Sequence, residues 1–273
     1  MRRYVTALTI AGSDSSGGAG IQADIKTMSA IGVYASTAIT AVTVQNTLGV
    51  RNVQGINPDV VAGQIDAVFD DIRPDAVKIG MLFGSAIVKA VAVSLSRNQA
   101  QNIVLDPVMV STSGSKLIND EAIRMIKELL IPQSAIVTPN VAEAYQLTGT
   151  TDQQEQIEYL HGLGAKAVLL KGGDALGGNP TKSIDVLSTG LNSQPIILES
   201  DRIATNNTHG TGCTLSSAIA SYLALGFPVE QSVAKAKDYI DHALLAGSDV
   251  NTGHGHGPVN HLFNPHHLRI IET

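Results

Sequence analysis

Short runs of β-branched residues alternate along this chain with longer segments whose apolar residues recur at helical spacing. Such alternation predicts right-handed strand–helix–strand units, and therefore an α/β fold whose mostly parallel sheet carries helices on both faces. The predicted strands are residues 4–10, 36–44, 75–79, 102–106, 135–139 and 167–171. The predicted helices are residues 20–32, 59–72, 85–98, 120–130 and 141–149. Because ligands bind at the carboxyl ends of parallel strands, the residues that follow each strand are the candidates for a site.

The second half of the chain departs from this alternation. Two strand-like segments, IDVL at 184–187 and PIILES at 195–200, flank a turn-rich stretch and predict a hairpin, which would give the sheet an antiparallel edge. Helices are predicted over Thr211–Ala224 and Val229–Ala246, and the Gly- and His-rich tail after them is predicted to be mostly loop. We find no repeat and no linker, so we expect one domain over residues 1–273.

The composition disfavours several classes of protein. Hydrophobic residues make up 44% of the chain and charged residues 15%, which favours a packed core over disorder. The net charge is −6 without a basic cluster, which argues against a nucleic-acid partner. No apolar run reaches the roughly 18 residues of a membrane span, and the N-terminal apolar run is too short for a signal peptide. A single cysteine fits a reducing compartment, so we expect a cytoplasmic protein.

A glycine-rich stretch, AGSDSSGGAGIQAD, follows the first predicted strand. Its Gly18-x-Gly20-x-x-Ala23 spacing matches a dinucleotide fingerprint, but the second strand ends at Gln45 rather than at an acid that would hold a ribose. A dinucleotide-dependent oxidoreductase is therefore disfavoured, and no P-loop motif occurs. Gln45 suits a heterocycle in which a ring nitrogen neighbours an amino group, or it satisfies a loop backbone. Asp24 is either a first-turn helix acid or a substrate contact.

Three further strand ends carry polar side chains. Asp106 follows one strand, Asn140 and Glu143 follow the next, and Lys171 ends another. Asp106 and Glu143 form a plausible Mg²⁺ pair, although each also suits a purely structural role at a turn or a helix start. Lys171 could meet a phosphate or simply be solvated. The five histidines of the last twenty residues lack metal-ligand spacing, which disfavours a structural zinc site.

The single cysteine stands in the segment NTHGTGCTLSSAIA, where a glycine-bearing loop leads into a predicted helix. The first N–H groups of a helix have no internal partner, and flexible Gly210 and Gly212 would let them converge into an anion hole. Such a hole would stabilise the charge of a transferring phosphoryl group. Cys213 lies at its mouth, where we expect the helix dipole to lower the thiol pKa and favour a base or nucleophile. The alternative is a buried small hydrophobe.

Eight segments resemble, in order, the hydroxymethylpyrimidine/phosphomethylpyrimidine kinases of thiamine biosynthesis, a branch of the ribokinase superfamily. The resemblance covers about residues 5 to 263 and departs locally in GGDALGGNPTKSIDVL. The segments are AGSDSSGGAGIQADIKT, TAVTVQNTLGV, KIGML, LDPVMVSTSG, TPNVAEA, KGGD, NTHGTGCTLSSAIA and GHGPVNH. The resemblance implies a ribokinase-like three-layer sandwich.

The resemblance also assigns roles to individual residues. The expected anion hole is Gly210, Thr211 and Gly212, with Cys213 as the base. The expected pyrimidine pocket is Gly12, Asp24, Gln45, Met81 and Val108. Nucleotide phosphates would lie near Asn140, Lys171 and Lys237, and Mg²⁺ near Asp106 and Glu143.

The implied reaction is ATP-dependent phosphorylation of 4-amino-5-hydroxymethyl-2-methylpyrimidine to its monophosphate and then to its pyrophosphate, by a homodimer. Two alternatives remain open at this point. One is pyridoxal kinase activity, against which Gln45 is the discriminating residue. The other is a non-catalytic protein that binds the pyrimidine without turnover, which the apparently complete phosphate site disfavours.

Overall fold

The computed structural model describes residues 2–109, 118–173 and 181–272. Its strands are β1 (Arg2–Tyr4), β2 (Thr6–Ala11), β3 (Tyr34–Ile39), β4 (Ala41–Asn46), β5 (Gly49–Gly55), β6 (Ala76–Ile79), β7 (Ile103–Leu105), β8 (Ile136–Val137), β9 (Val168–Gly173), β10 (Lys182–Ser188), β11 (Ile196–Asp201) and β12 (Ile270–Glu272). Its α-helices are α1 (Gly20–Ile31), α2 (Pro58–Asp71), α3 (Ser85–Arg97), α4 (Asp120–Met125), α5 (Val141–Thr148), α6 (Gln153–Gly162), α7 (Thr211–Ala224) and α8 (Val229–Gly247). Helix α4 continues through a π turn, Ile126–Leu130, and a 3₁₀ turn, Ile131–Gln133.

Eight strands form the central sheet in the order β11-β10-β9-β8-β7-β6-β2-β3. The strands from β3 across to β9 pair in parallel, whereas β9–β10 and β10–β11 are antiparallel. Both the mostly parallel sheet and its antiparallel edge were predicted from the sequence, and both are confirmed.

The two faces of the sheet bury two separate cores, because neighbouring residues of a strand point to opposite faces. On β2, Leu8 and Ile10 join the core that α2 and α3 cover, while Ala7 joins the core that α1, α7 and α8 cover. The result is three layers: helices, sheet, helices. All parallel strands therefore end at one edge, and this edge positions the site.

Three elements differ from the sequence-based expectations. The run at 36–44, predicted as one strand, divides at Thr40: β3 stays in the main sheet, whereas β4 leaves it and pairs only with β5 as an antiparallel ribbon. Helix α6 was not predicted, because its sequence QQEQIEYLHG is mostly polar. The tail also contributes a strand, since β12 pairs with β1. The segment 174–180, where the chain departs from the family pattern, lies outside the described residues.

Candidate active site

A cavity of about 720 Å³ lies at the carboxyl edge of the sheet, beside the start of α7. It brings together residues from every strand end that the sequence singled out. The predicted site residues that line it are Gly12, Gln45, Met81, Val108, Asp106, Asn140, Glu143, Lys171, Gly210, Thr211, Gly212, Cys213 and Lys237. Asp24 is not among the lining residues, and its assignment as a substrate contact stays a prediction.

The start of α7 forms the predicted anion hole. Gly210, the residue before the helix, has a φ of +84°, and within the described chain the helix has no side-chain cap and no acid in its first turn. Its first N–H groups are therefore left to face the cavity. A β-carbon on Gly210 would lie 1.8 Å from the carbonyl oxygen of Gly18, so only glycine allows the two loops to approach this closely.

A lysine and two carboxylates lie directly beside this helix start. The Nζ atom of Lys171 is 2.7 Å from Oδ1 of Asp106 and 4.0 Å from Oε2 of Glu143. A β-carbon on Gly212 would lie 3.5 Å from the same Nζ, which places the anion hole next to the ammonium group. Glu143 also forms a capping box with Asn140, so the structural and the functional interpretations of these residues both hold for the geometry.

The electrostatics of the cluster separate the two acids. Burial opposes ionisation of Asp106, but the ammonium groups of Lys171 and Lys78 hold its pKa below the usual range. Burial raises the pKa of Glu143 to about 7 against the opposing charge of Lys171, and the nearby charge of Asp106 adds to the rise. Two adjacent carboxylates at the cavity wall are a donor set that fits Mg²⁺, which completes its shell with water and phosphate oxygens.

Cys213 lies half-buried in the first turn of α7, and its environment reverses the expected direction of its pKa. Loss of hydration raises the pKa of the thiol to about 11. The Lys78 ammonium and the backbone N–H of Gly20 oppose this rise, and the Asp24 carboxylate adds to it. The prediction of a lowered pKa was wrong because burial outweighs the helix dipole here.

Asp24 and Lys78 form an ion pair with no solvent exposure. Both carboxylate oxygens of Asp24 lie 2.9 Å from Nζ of Lys78, and the hydroxyls of Thr9 and Ser217 donate to them at 2.5 Å. Ser217 also donates to the carbonyl of Cys213 at 2.7 Å, so the cluster braces the first turns of α7. The sequence analysis missed Lys78, although a charged residue within the buried strand AVKI is itself a signal of such a pair.

The pyrimidine end of the cavity is lined by apolar surface and one amide. A β-carbon on Gly12 would lie 2.6 Å from the terminal methyl of Met81, so the missing side chain lets Met81 cover this wall. Val108 and Gln45 also line the cavity. Beside Gln45 are two residues that the sequence analysis did not single out, Asp14 and His209, which are joined by a 2.7 Å contact.

The opposite end of the cavity contains Lys237. Its Nζ atom is 3.0 Å from Oδ2 of Asp185 and 3.0 Å from the hydroxyl of Ser183. Asp185, which also accepts from the backbone N–H of Gly172 at 3.0 Å, was not predicted as a site residue. Three aliphatic side chains add an apolar wall here: Ile203, Ile240 and Leu244.

A parallel sheet with an antiparallel edge, whose strand ends face an anion hole and a lysine–carboxylate cluster, defines a ribokinase-like kinase of small molecules. The chain belongs to the phosphomethylpyrimidine kinase family, which it matches over residues 14–260.

Individual relatives agree with this membership. The chain is 46% identical over 266 residues to the hydroxymethylpyrimidine/phosphomethylpyrimidine kinase of Escherichia coli, with coverage of 95% of this chain and 98% of the relative. It is 47% identical over 267 residues to the thiamine biosynthesis bifunctional protein ThiED of Geobacter sulfurreducens, covering 96% of this chain and 53% of that longer protein. Among solved structures, an ADP complex of Bacillus subtilis pyridoxal kinase superposes with a TM-score of 0.85 at 37% identity, covering 95% of this chain and 98% of that one.

Proposed function

We propose that this enzyme uses ATP to phosphorylate 4-amino-5-hydroxymethyl-2-methylpyrimidine and then its monophosphate, yielding the pyrophosphate for thiamine biosynthesis. The observation that carries the proposal is the layout of one cavity. Its anion hole, Gly210–Gly212, lies between an amide-bearing apolar pocket and a cluster of cationic side chains. A small heterocycle and a nucleotide can therefore approach a single phosphoryl-transfer point from opposite sides.

The substrate end is suited to a flat ring with a polar edge. Met81, Val108 and Gly12 supply apolar surface, and the carboxamide of Gln45 supplies one donor and one acceptor side by side. A 4-aminopyrimidine offers the complementary pair, an amino donor next to a ring-nitrogen acceptor. The hydroxymethyl group on the neighbouring carbon would then be directed towards Cys213.

The nucleotide end supplies charge and apolar surface in sequence. Lys171 and Asn140 lie nearest the anion hole, and Lys237 lies farther along, where its contact with Asp185 fixes its position. The aliphatic wall formed by Ile203, Ile240 and Leu244 suits an adenine ring. The binding of ADP by the Bacillus pyridoxal kinase of similar structure supports ATP as the phosphoryl donor.

Asp106 and Glu143 are the residues that would hold Mg²⁺, together with phosphate oxygens of the nucleotide. When bound, the ion neutralises charge on the transferring phosphoryl group. Lys171 contacts the same two carboxylates and is free to donate to phosphate oxygens once they bind the ion.

Cys213 is the proposed proton acceptor for the substrate hydroxyl. Because the thiol pKa is raised to about 11, only a small fraction is thiolate at neutral pH before substrates bind. Phosphoryl transfer through a loose transition state needs little proton removal until late in the reaction. In-line positioning and the N–H groups of Gly210–Gly212 therefore supply most of the rate enhancement, and Cys213 takes the proton last.

We also propose a homodimer in a reducing, cytoplasmic setting, where Cys213 stays a free thiol. The ribbon of β4 and β5 supports the dimer because it exposes Val42, Val44 and Leu48, at 49%, 53% and 63%. Val44→Glu should shift the mass measured by light scattering from dimer to monomer. No helix of the described residues is long and apolar enough to cross a bilayer.

The decisive experiment measures ATP consumption in Mg²⁺ with hydroxymethylpyrimidine, its monophosphate and pyridoxal in parallel. Turnover of both pyrimidines, with little turnover of pyridoxal, is the expected result. Pyridoxal is the one serious competitor, because a pyridoxal kinase shares the fold at 37% identity. Turnover of pyridoxal alone would overturn the proposed specificity, and tight pyrimidine binding without any turnover would indicate a binding protein.

A further inference from the structure

Asp14 and His209 form a buried pair beside the substrate pocket. They are 2% and 6% exposed, and Oδ2 of Asp14 lies 2.7 Å from Nε2 of His209. Burial opposes ionisation of Asp14, but His209 and the Ser16 hydrogen bonds lower its pKa to about 2. Asp14 is therefore a carboxylate at neutral pH, and it requires the proton of His209 to sit on Nε2.

This proton position fixes the orientation of the Gln45 carboxamide. One end of the carboxamide lies 3.3 Å from Nε2 of His209, and the other end lies 3.3 Å from the hydroxyl oxygen of Thr43. Because Nε2 carries a proton, the end that faces it must be the carboxamide oxygen. The NH₂ end then faces Thr43, whose own proton goes to the carbonyl of Ser13 at 2.8 Å, so its oxygen is free to accept.

The surrounding backbone holds all three groups in place. A β-carbon on Gly18 would lie 2.5 Å from the His209 ring, and the N–H of His209 donates to the carbonyl of Gly257 at 3.0 Å. The hydroxyl of Ser15 donates to the carbonyl of Gln45 at 2.7 Å and lies 2.9 Å from its N–H. Neither the imidazole nor the strand that carries Gln45 can shift without breaking these contacts.

We propose that Asp14 and His209 are positioning residues that lock the Gln45 amide in one orientation and thereby select the substrate ring. The locked amide keeps one oxygen lone pair and one N–H for a ligand. Its acceptor lies on the His209 side and its donor on the Thr43 side. The favoured substrate class is a heterocycle that brings an amino group to the acceptor and a bare ring nitrogen to the donor. The inference rests on the proposed function, which it makes more specific.

A ring with the opposite edge provides the sharpest contrast. In the 4-oxo analogue of the pyrimidine, a carbonyl replaces the amino group and the adjacent ring nitrogen carries a proton. Binding this edge requires the Gln45 amide to rotate by 180°, which breaks its hydrogen bonds to His209 and Thr43 and leaves buried polar groups unpaired.

The first test compares kcat/KM for the amino and 4-oxo pyrimidines in wild-type enzyme and in His209→Leu. The wild type should prefer the amino compound strongly, and the variant should lose about tenfold or more of that preference, because its Gln45 amide can rotate freely. His209→Gln, which restores an N–H near the position of Nε2, should recover most of the preference. His267→Leu is the matched control, since His267 is exposed and does not line the cavity.

The second test is a double-mutant cycle on the KM for the amino pyrimidine with His209→Leu and Gln45→Ala. If His209 acts through Gln45, the double variant should have about the same KM as Gln45→Ala alone. Additive losses, or an unchanged amino/oxo preference in His209→Leu, would overturn the inference. Wild-type turnover of the pyrimidine tests the proposed function separately. If the wild type accepts only pyridoxal, the cycle is measured on pyridoxal, and additivity there refutes the orientation.

Discussion

Replacement of Gly210 by alanine tests the geometry on which the anion hole depends. Its φ of +84° costs an L-residue about 1–2 kcal/mol. The new β-carbon would lie 1.8 Å from the carbonyl oxygen of Gly18, and moving two backbone segments apart adds about 1–3 kcal/mol. We therefore expect Gly210→Ala to lose about 2–5 kcal/mol of unfolding free energy. For a chain of this size, that loss corresponds to a fall in Tm of about 5–10 °C.

Gly226 provides the matched control. It also has a positive φ, +89°, but no atom lies within 4 Å of a β-carbon built there. Gly226→Ala should therefore lose only the conformational part, about 1–2 kcal/mol, and keep its kcat. The difference between the two variants isolates the contact between Gly210 and Gly18.

Thermal unfolding and steady-state kinetics together decide the outcome. The displaced helix start should lower the kcat of Gly210→Ala about 100-fold or more, because its N–H donors no longer converge on the phosphoryl group. An equal loss of Tm in both variants, with kcat unchanged in Gly210→Ala, would refute the proposed anion hole and the close approach of the two loops.

Three further predictions concern buried titratable groups. The alkylation rate of Cys213 in the unliganded enzyme should rise about tenfold per pH unit until near pH 11, whereas a plateau below pH 9 would contradict its burial; Cys213→Ala should lower kcat far more than it changes KM. Lys78→Met should cost about 3–5 kcal/mol in urea unfolding, because Asp24 is left charged and unpaired, and a loss below about 1 kcal/mol would show that the pair is dispensable. Burial lowers the pKa of His261 to about 4, so the unfolded chain takes up a proton below pH 6.5 while the folded protein does not; stability should therefore fall by about 3 kcal/mol from pH 6.5 to pH 4 in the wild type and much less in His261→Leu, and parallel curves would refute this.

Much of the fold could be predicted because the hydrophobic pattern repeats what the sheet requires. Helix α7 begins and ends at the predicted residues, and the antiparallel edge follows from a turn-rich stretch between two short apolar runs. The failures have physical causes. Helix α6 is too polar to show a clear period, and only Ile157 and Leu160 anchor its apolar side. The break at Thr40 lies inside an uninterrupted β-branched run, so no local signal marks it.

The candidate site divides in the same way. Residues that follow strands, such as Asp106 and Lys171, could be found from the sequence because parallel strands deliver their ends to one edge. Lys78 was missed because it lies inside a strand, and His209 because its partners are distant in the chain. Asp14 is 195 positions away from His209, and no spacing rule links residues so far apart.

The sequence by itself determined the order of strands, turns and helices, and with it which residues meet at the carboxyl edge, because strand polarity and right-handed connections leave few topologies. Only the tertiary structure decided the charge states. The Cys213 thiol has a raised pKa, Asp24 is paired with Lys78, and the Gln45 amide has one orientation because of the groups packed around each of them. Desolvation and hydrogen bonding depend on distances between segments that are remote in the chain, and a one-dimensional pattern does not contain those distances.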